Sequence, residues 1–291
     1  MFPEITEEEN EKRVSAYYRW SALPYRMLWS TPDTLAMHIG FWDKDTYTLA
    51  DALLRENKFL AEKAHISESD LVLDAGCGIG GSAIWISKNI GAKVIGIANE
   101  RGLVECARRN AAKHNIKDKT VFELQNYNHT NFLDNTFDVV WAIESFDYAP
   151  DKKALFEEVW RVLKPGGRLI VADFFQNRRV ENKNEQKIFN DITLTLAVYQ
   201  TQWWGEYIPI LRELGFKNVN EFDKTEAVRP SSRRLNRLGL AAKPIVYLFL
   251  YPFRFSNKYI SALYDNWRCS VAIEKAFRLG LIKYGVYYAE K

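Results

Sequence analysis

The chain has 291 residues, 47% of them hydrophobic, which is enough to bury the core of one elaborated α/β domain or of two modest domains. Its 40 basic and 37 acidic side chains leave a formal charge of +3, which is too balanced to favour a nucleic-acid partner. Three widely spaced cysteines, Cys77, Cys106 and Cys269, give neither a disulfide framework nor a metal-ligand spacing, and they favour a reducing cytoplasm.

The N-terminal segment is acidic over its first ten residues, where a secretion signal would be basic and then apolar. Aromatic residues are frequent from 11 to 43 and again from 176 to 283. Both regions are expected to cover the carboxyl edge of a sheet, where ligands of open α/β folds bind.

Hydrophobic periodicity alternates between helix and strand from residue 44 onward, which predicts a parallel sheet wrapped by helices. The predicted helices are 44–64, 82–89, 103–114, 152–163 and 207–214. The predicted strands are 71–73, 93–97, 120–124, 138–142, 169–174, 218–222 and 286–289.

The stretch 71–81 is an apolar strand that runs into Asp74 and then into a glycine-rich turn opening a helix. Gly76, Gly78 and Gly80 or Gly81 have no Cβ atom, so the turn can be tight and a ligand can lie on the peptide planes. The glycines also fit the dinucleotide fingerprint, which alone is a weak signal. Asp74 would repel a pyrophosphate and attract an ammonium group, which favours S-adenosylmethionine over NAD.

The run 71–86 resembles motif I of the class I S-adenosylmethionine-dependent methyltransferases, and 94–97, 137–144 and 161–169 resemble later motifs of that family in the same order. The lid sequence 38–43 and the chain end 274–291 are similar to those of the small-molecule group related to γ-tocopherol and sterol methyltransferases. The resemblance implies a Rossmann-like, seven-stranded α/β sheet with helices on both faces, an N-terminal lid and a helical cap insertion.

The resemblance also implies a domain plan. The segments are 1–43 as the lid, 44–175 as the cofactor-binding core, 176–206 as cap helices, 207–225 as core continuation, 226–283 as the helical cap insertion and 284–291 as the final strand.

The cofactor implied by the resemblance is S-adenosyl-L-methionine, with S-adenosyl-L-homocysteine as product. The residues implied to hold it are Asp74, Ala75, Gly76, Gly78, Gly80, Asn99, Glu100, Asn126, Tyr127, Ile143, Tyr25 and Tyr17. Ala98 stands where the family usually has the ribose-binding Asp, so the ribose partner is left to Asn99 and Glu100. Glu100 is equally well explained as an acid at a helix start.

Three residues are candidates for catalysis. Glu144 ends the fourth predicted strand, where sterol methyltransferases place an acidic residue near the substrate. Asp147 replaces the family's usual His, and a carboxylate there favours an amine or a developing cation. Asp147 could instead cap the helix that opens near Asp151. His38 is implied to close the lid over the cofactor.

The aromatic segments are interpreted as walls for a bulky, apolar or cationic substrate, although any single ring could equally belong to the core. The candidate substrate residues are Trp20, Trp42, Phe146, Tyr148, Trp203 and Tyr207. No metal site is expected.

The predicted function is methyl transfer to carbon or nitrogen of a medium-sized, largely apolar small molecule, such as an isoprenoid, sterol, tocopherol or alkaloid. Transfer to a polar amine or phosphobase, and cofactor binding without methyl transfer, remain open alternatives. The few, widely spaced cysteines predict a cytoplasmic protein, and the balanced charge predicts that it has no nucleic-acid partner. Arg233, Arg234 and Arg237, beside the apolar segment 244–253, leave contact with a membrane surface open.

Overall fold

The computed structural model describes residues 6–28, 33–198 and 201–291, and within the first helix it describes side chains as far as Ser21. Across these residues, seven strands form one sheet in the order β3-β2-β1-β4-β5-β7-β6, in which β7 is antiparallel to both of its neighbours. The strands are β1 Leu71–Ala75, β2 Lys93–Ala98, β3 Thr120–Leu124, β4 Phe137–Ile143, β5 Leu163–Gln176, β6 Lys217–Asp223 and β7 Ile282–Glu290. The predicted seven-stranded α/β fold is confirmed.

Helices cover both faces of this sheet. They are α1 Glu7–Leu28, α2 Leu49–Lys63, α3 Gly81–Asn89, α4 Arg101–Lys113, α5 Lys152–Val162, α6 Lys183–Thr193, α7 Tyr207–Glu213, α8 Thr225–Ile245 and α9 Lys258–Arg278. A π-helical turn over Val246–Leu250 and a 3-10 turn over Tyr251–Phe253 connect α8 to α9. Each described helix is too short or too polar to cross a lipid bilayer.

The sheet separates two hydrophobic cores because successive side chains of a strand point to opposite faces. On β4, Val139 and Trp141 belong to the core shared with α2, α3, α4 and α9. Val140 and Ala142 belong to the opposite core, under α5 and α7. A strand buried on both faces in this way reads as a continuous apolar run, as 137–143 does.

Three boundaries differ by four residues or more from those expected. Helix α2 begins at Leu49 and not at 44, because Thr48 and Asp51 form a capping box. Strand β5 begins at Leu163, because a register shift lets the turn at 165–167 remain in the strand. Strand β7 begins at Ile282, inside the predicted insertion, because its ladder with β5 continues to the end of β5.

Strands β1, β2, β4 and β5 are parallel, so their carboxyl ends meet at one edge of the sheet. Helix α1 lies over that edge and contacts α4 and α9. The ends of β1 and β4 therefore place Asp74 and Glu144 beneath a lid, while Asp173 lies at the same edge on β5.

We expect Gly285→Ala to destabilise the fold. Gly285 lies on β7 opposite Asp173, and a Cβ atom there would be 2.1 Å from Cζ3 of the Trp204 ring. Displacing a packed indole should lower the free energy of unfolding by about 1–3 kcal/mol, measured by urea denaturation. Gly102→Ala is the control, because its added methyl group meets the flexible carboxylate of Glu100. Equal stability of the two variants would contradict this packing.

Candidate active site

A cleft opens at the carboxyl edge of the sheet, above the glycine loop that follows β1. It encloses about 750 Å³ including its mouth, and α1 and the segment 35–38 form its upper wall. We call it the glycine-loop cleft. The predicted cofactor residues that line it are Asp74, Gly76, Gly78, Asn99, Tyr127 and Ile143.

Asp74 presents a buried carboxyl group to the glycine-loop cleft. Its Oδ2 atom has no hydrogen-bond partner among the residues that the structure describes. Burial raises the pKa of Asp74 to about 7, although a backbone hydrogen bond from Ala83 and the charge of His38 lower it. A buried oxygen without a partner is costly unless a ligand completes its hydrogen bonds. Asp74 therefore fits the ammonium group of S-adenosylmethionine.

The glycine loop lies directly against the end of β4. Gly76 has a φ of 99°, and a Cβ atom there would be 2.3 Å from Cβ of Ser145. The Ser145 hydroxyl donates to the Ala75 carbonyl at 2.7 Å, and the Tyr127 hydroxyl donates to the Ser145 carbonyl at 2.6 Å. These bonds hold the loop and the end of β4 together as the floor of the cleft.

Several other predicted cofactor residues lie beside the cleft and not on its lining. Ala75 lies behind the loop, and Gly80 is the N-cap of α3 with a φ of 88°. The Tyr17 ring packs edge-on against Tyr18, with 5.0 Å between ring centroids. The side chain of Tyr25 lies outside the described residues.

Glu100 and Asn126 have protein partners in this structure. Glu100 caps α4, its Oε2 accepting a hydrogen bond from the Leu103 N–H at 2.8 Å, as expected of an acid at a helix start. The Asn126 amide donates to Glu7 at 3.2 Å and also to Glu11, which ties α1 to the end of β3. Contact of Glu100 with the ribose and of Asn126 with another part of the cofactor stays a prediction.

A second cleft of about 640 Å³, including its mouth, adjoins the first. The residues common to the two clefts are Tyr18, Met37, Glu144 and Tyr148. The apolar walls of the second cleft come mainly from α6, α9 and the ends of β5 and β7, and they are Phe174, Phe189, Ile192, Leu196, Val198, Ile273 and Ile282. Asp147 and Asp173 also line it. A largely apolar chamber with carboxyl groups thus lies next to the glycine-loop cleft.

Glu144 lies where the two clefts meet. Its φ is 47°, a left-handed conformation that is uncommon outside glycine and concentrates at functional sites. Its Oε1 atom accepts a hydrogen bond from the Ile39 N–H at 2.7 Å and lies 3.1 Å from the Tyr284 hydroxyl oxygen. The lid segment and β7 therefore fix this side chain between the clefts.

His38 belongs to a buried hydrogen-bond network with Glu144. Its Nδ1 atom is 2.8 Å from Glu56, and Glu56 also accepts a hydrogen bond from the Tyr284 hydroxyl at 2.7 Å. Burial lowers the pKa of His38, but the charges of Glu56 and Glu144 outweigh burial and raise it to about 9. Burial, followed by the charge of Glu56, raises the pKa of Glu144 to about 8. The network therefore favours the cationic form of His38 and the neutral form of Glu144.

Asp147 and Asp173 bring two buried carboxyl groups to the second cleft. The Asp147 N–H donates to Asp173 at 3.0 Å, and Oδ1 of Asp147 has no partner in the described part of the chain. Burial raises the pKa of both groups, and the charge of Asp173 raises that of Asp147 further. The buried ammonium of Lys152 donates to the Asp147 carbonyl at 3.4 Å. Helix α5 is capped by Asp151, so the interpretation of Asp147 as its cap is wrong.

Of the predicted substrate residues, Tyr148 lines both clefts. Phe146 and Tyr207 are instead fully buried in the core beneath α5 and α7. Both rings pack edge-on against Phe156, with centroid distances of 6.1 and 4.9 Å. The prediction that these two rings contact the substrate is wrong, because both rings fill the core.

The three predicted tryptophans also lie outside both clefts. The Trp42 indole donates to the Ser231 hydroxyl at 2.8 Å and so fastens the lid segment to α8. The Trp20 ring packs edge-on against Tyr259, 4.5 Å between centroids. Trp203 pairs in an isolated bridge beside the end of β5.

Sequence reasoning missed Asp173 and most of the upper wall of the glycine-loop cleft. A signal for Asp173 existed, because a carboxylate at the end of β5 must lie near the end of neighbouring β4. No motif marks Leu35, Ala36 and Met37, which line the cleft because the lid folds over it. Within the described ranges, no three His, Cys, Asp or Glu side chains are grouped so as to hold a metal ion.

Comparison with known proteins identifies the relatives of this chain. A family model described as a methyltransferase domain matches residues 66–215. The methyltransferase GfsG of Streptomyces halstedii is 31% identical over 67% of this chain and 70% of that protein. Sterol 24-C-methyltransferase of Saccharomyces cerevisiae is 36% identical over 64% of this chain and 48% of that protein, so the chain spans about half of its length. The crystal structure of the cyclase SpnF superposes with a TM-score of 0.78 at 21% identity, covering 97% of this chain and 96% of that chain.

Replacing His38 with Gln should reduce the loss of stability at alkaline pH. Because the folded-state pKa is raised from 6.5 to about 9, the stabilisation is complete below the unfolded value and is lost as pH rises through the folded one. Between pH 6.5 and about 9, the free energy of unfolding of the wild type should fall by on the order of 2–3 kcal/mol more than that of His38→Gln. Urea denaturation as a function of pH measures this. His114→Gln, at the C-cap of α4, is the control and should follow the wild type.

Proposed function

Because the chain belongs to the class I S-adenosylmethionine-dependent methyltransferases, we propose that it transfers the methyl group to a carbon atom of an apolar small molecule of isoprenoid or sterol type. The observation that carries the proposal is the second cleft, whose walls are largely apolar and which joins the glycine-loop cleft at Glu144. The similarity to a sterol 24-C-methyltransferase supports the same acceptor class.

The residues of the glycine-loop cleft would hold the cofactor. Asp74 would accept hydrogen bonds from its ammonium group, Gly76 and Gly78 would lie against its methionine part, and Asn99 would face the ribose. Bound S-adenosylmethionine supplies an electrophilic methyl group on a positively charged sulfur. The protein mainly has to exclude water and orient the acceptor.

The second cleft supplies what an apolar acceptor needs. Phe174, Phe189 and Ile192 form a wall that shields the acceptor from water. Tyr18 and Tyr148 lie at the junction of the clefts, with 3.2 Å between their hydroxyl oxygens, and narrow the passage. An acceptor buried here would present its reactive carbon near Glu144.

The carboxyl groups of the second cleft suit a reaction that develops positive charge. When an alkene carbon attacks the methyl group, its π electrons would form the new C–C bond while the methyl–sulfur bond breaks and leaves its electron pair on sulfur. The neighbouring alkene carbon would become cationic until it loses a proton. We propose that Asp173 and Asp147 stabilise this cation and that one of them accepts the proton. The unpartnered Oδ1 of Asp147 is an available acceptor among the described groups.

Methylation of an amine nitrogen is the second candidate function. The same unpartnered oxygen of Asp147 would accept a hydrogen bond from a substrate ammonium group. A phosphobase is less well supported, because neither cleft includes an Arg or Lys among its described lining residues. A phosphate in the second cleft would therefore meet carboxyl groups and no cation among its described lining residues.

The proposal is tested with purified protein, labelled S-adenosylmethionine and a panel of acceptors: sterol and isoprenoid alkenes, tertiary amines and phosphobases. We expect S-adenosylhomocysteine and a labelled C-methylated product with an alkene acceptor. A labelled amine as the only product would support the second candidate. Cofactor binding with no turnover on any acceptor would contradict the proposal and favour a role without methyl transfer.

We also propose that the protein works in the cytoplasm and meets its acceptor at a membrane surface. Cys77, Cys106 and Cys269 are free thiols, as suits a reducing compartment. Sterols and isoprenoids dissolve in lipid and not in water, so their enzyme gains from contact with a membrane.

Asp74→Asn should weaken cofactor binding about tenfold or more, because a buried charge-assisted hydrogen bond to the ammonium is lost. In the wild type, affinity should increase as pH rises through about 7, where Asp74 loses its proton. Below that pH, calorimetry in buffers of different ionisation enthalpy should show proton release on binding. Asp138→Asn, at the opposite edge of the sheet, is the control. Unchanged affinity in Asp74→Asn would remove Asp74 from the cofactor site.

Asp173→Asn should lower kcat by roughly 10–100-fold and leave cofactor affinity unchanged, because it removes a charge that faces the acceptor. The wild-type rate should rise with pH through a pKa above the ordinary aspartate value, since burial raises the pKa of Asp173. This rise of the rate with pH should be smaller in Asp173→Asn. Tyr207→Phe, which removes a core hydroxyl, is the control for activity. A kcat equal to wild type in Asp173→Asn would refute the assignment.

A further inference from the structure

Positive charge is concentrated in one part of the chain. Residues 227–264 include seven Arg and Lys residues and no Asp or Glu, whereas the whole chain has a formal charge of +3. The remaining residues therefore carry −4. This segment covers most of α8, the connection after it and the first third of α9.

Exposed apolar side chains are concentrated in the same segment. Sixteen large hydrophobic side chains are exposed among the described residues, and ten of them lie between 238 and 259. We call the segment 238–259 the hairpin tip. Phe255 is 87% exposed, Leu248 66% and Phe249 60%. Exposed apolar side chains grouped in this way mark a site of interaction on a soluble domain.

The cations of the tip face solvent and lie beside aromatic rings. In the described part of the chain, neither Lys243 nor Lys258 forms an ion pair with a carboxylate, and both are exposed. The Arg254 guanidinium lies 3.8 Å from the ring centroid of Tyr251 and 4.2 Å from that of Phe255. Cations next to aromatic rings are typical of the boundary between lipid headgroups and acyl chains.

The hairpin tip is held in shape from below. The Trp267 indole on α9 donates to the Gly239 carbonyl on α8 at 2.7 Å. Its ring centroid is 5.7 Å from that of Tyr247 and 5.7 Å from that of Tyr264. The apolar side chains of the tip are therefore presented by a packed helical hairpin.

We propose that the hairpin tip docks on the surface of a lipid bilayer that contains anionic lipids. The apolar side chains would enter the interface, and the cations would bind the headgroups. A second copy of this chain is a poorer occupant, because two such surfaces would bring like charges together. A nucleic acid is also poorer, because it would leave the exposed apolar side chains without a partner. Docking does not depend on methyl transfer.

Docking would also place the second cleft near the membrane. Helix α9 begins in the tip and carries Ile273, which lines the second cleft. At a rise of 1.5 Å per residue, Ile273 lies about 21 Å along the helix from Tyr259. This consequence rests on the proposed function, whereas the docking itself does not.

The test is flotation of the full chain with vesicles of phosphatidylcholine, with and without about one third phosphatidylserine. We expect binding to the anionic vesicles that weakens with salt and is much weaker on neutral vesicles. The triple variant Leu248→Ser, Phe249→Ser and Phe255→Ser should lower the partition coefficient at least tenfold. Lys243→Gln with Lys258→Gln should lower binding to anionic vesicles by about 30-fold and barely affect neutral ones.

Matched controls have equally exposed side chains elsewhere on the surface. Tyr47→Ser, Leu124→Ser and Leu133→Ser match the apolar variant, and Lys117→Gln with Lys187→Gln match the charge variant. Both controls should bind vesicles like the wild type.

The proposal would be overturned if the wild-type protein floated with neither kind of vesicle, or if the control variants lost as much vesicle binding as the tip variants. So would sedimentation velocity showing a dimer that the apolar triple variant dissociates, in the absence of vesicle binding. Methyl transfer to a detergent-solubilised acceptor should be unchanged in the tip variants. Failure of docking and failure of the proposed reaction are thus separate results.

Discussion

The active-site edge of this protein depends on the burial of acidic groups. Asp74, Glu144, Asp147 and Asp173 lie at or just beyond the ends of three adjacent strands, under a lid that removes them from water. Burial raises the pKa of each of these carboxyl groups. An ionised carboxylate in such a place is costly without a partner, so each group must be protonated, hydrogen-bonded or paired with a cation.

The surrounding residues satisfy only part of this requirement. His38 lies beside Glu56 and Glu144, and Lys152 lies beside Asp147 and Asp173. Asp74 and Asp147 each keep a buried oxygen without a partner among the described residues. One of these oxygens faces each cleft, which suits a cationic donor on one side and an acceptor that becomes cationic on the other. A single electrostatic arrangement would thus serve both reactants of the proposed reaction.

The fold could be predicted closely from the sequence because local signals are strong there. Strand β4 is expected over 138–142 and spans Phe137–Ile143, since a strand buried on both faces gives a clear apolar run. The glycine loop was recognisable because Asp74 and closely spaced glycines follow the apolar strand directly. The residues that contact the acceptor were harder to predict. Tyr207 was expected to line the substrate site but fills the core, because an aromatic ring suits both places equally. Asp173 was missed because a lone Asp within an apolar strand end has no motif of its own.

The acidic and basic groups of the molecule lie in different regions, and this separation relates the proposed docking to the proposed reaction. The acidic clefts lie under α1, while seven cations lie within 227–264 on the helical hairpin. Near an anionic surface the body of the protein, at −4, would be repelled while the hairpin tip is attracted, so the field would orient the molecule before contact. Exposed apolar side chains at the tip would then convert that orientation into insertion. Because α9 carries both the tip and part of the second cleft, the orientation that favours docking also fixes where an apolar acceptor would approach.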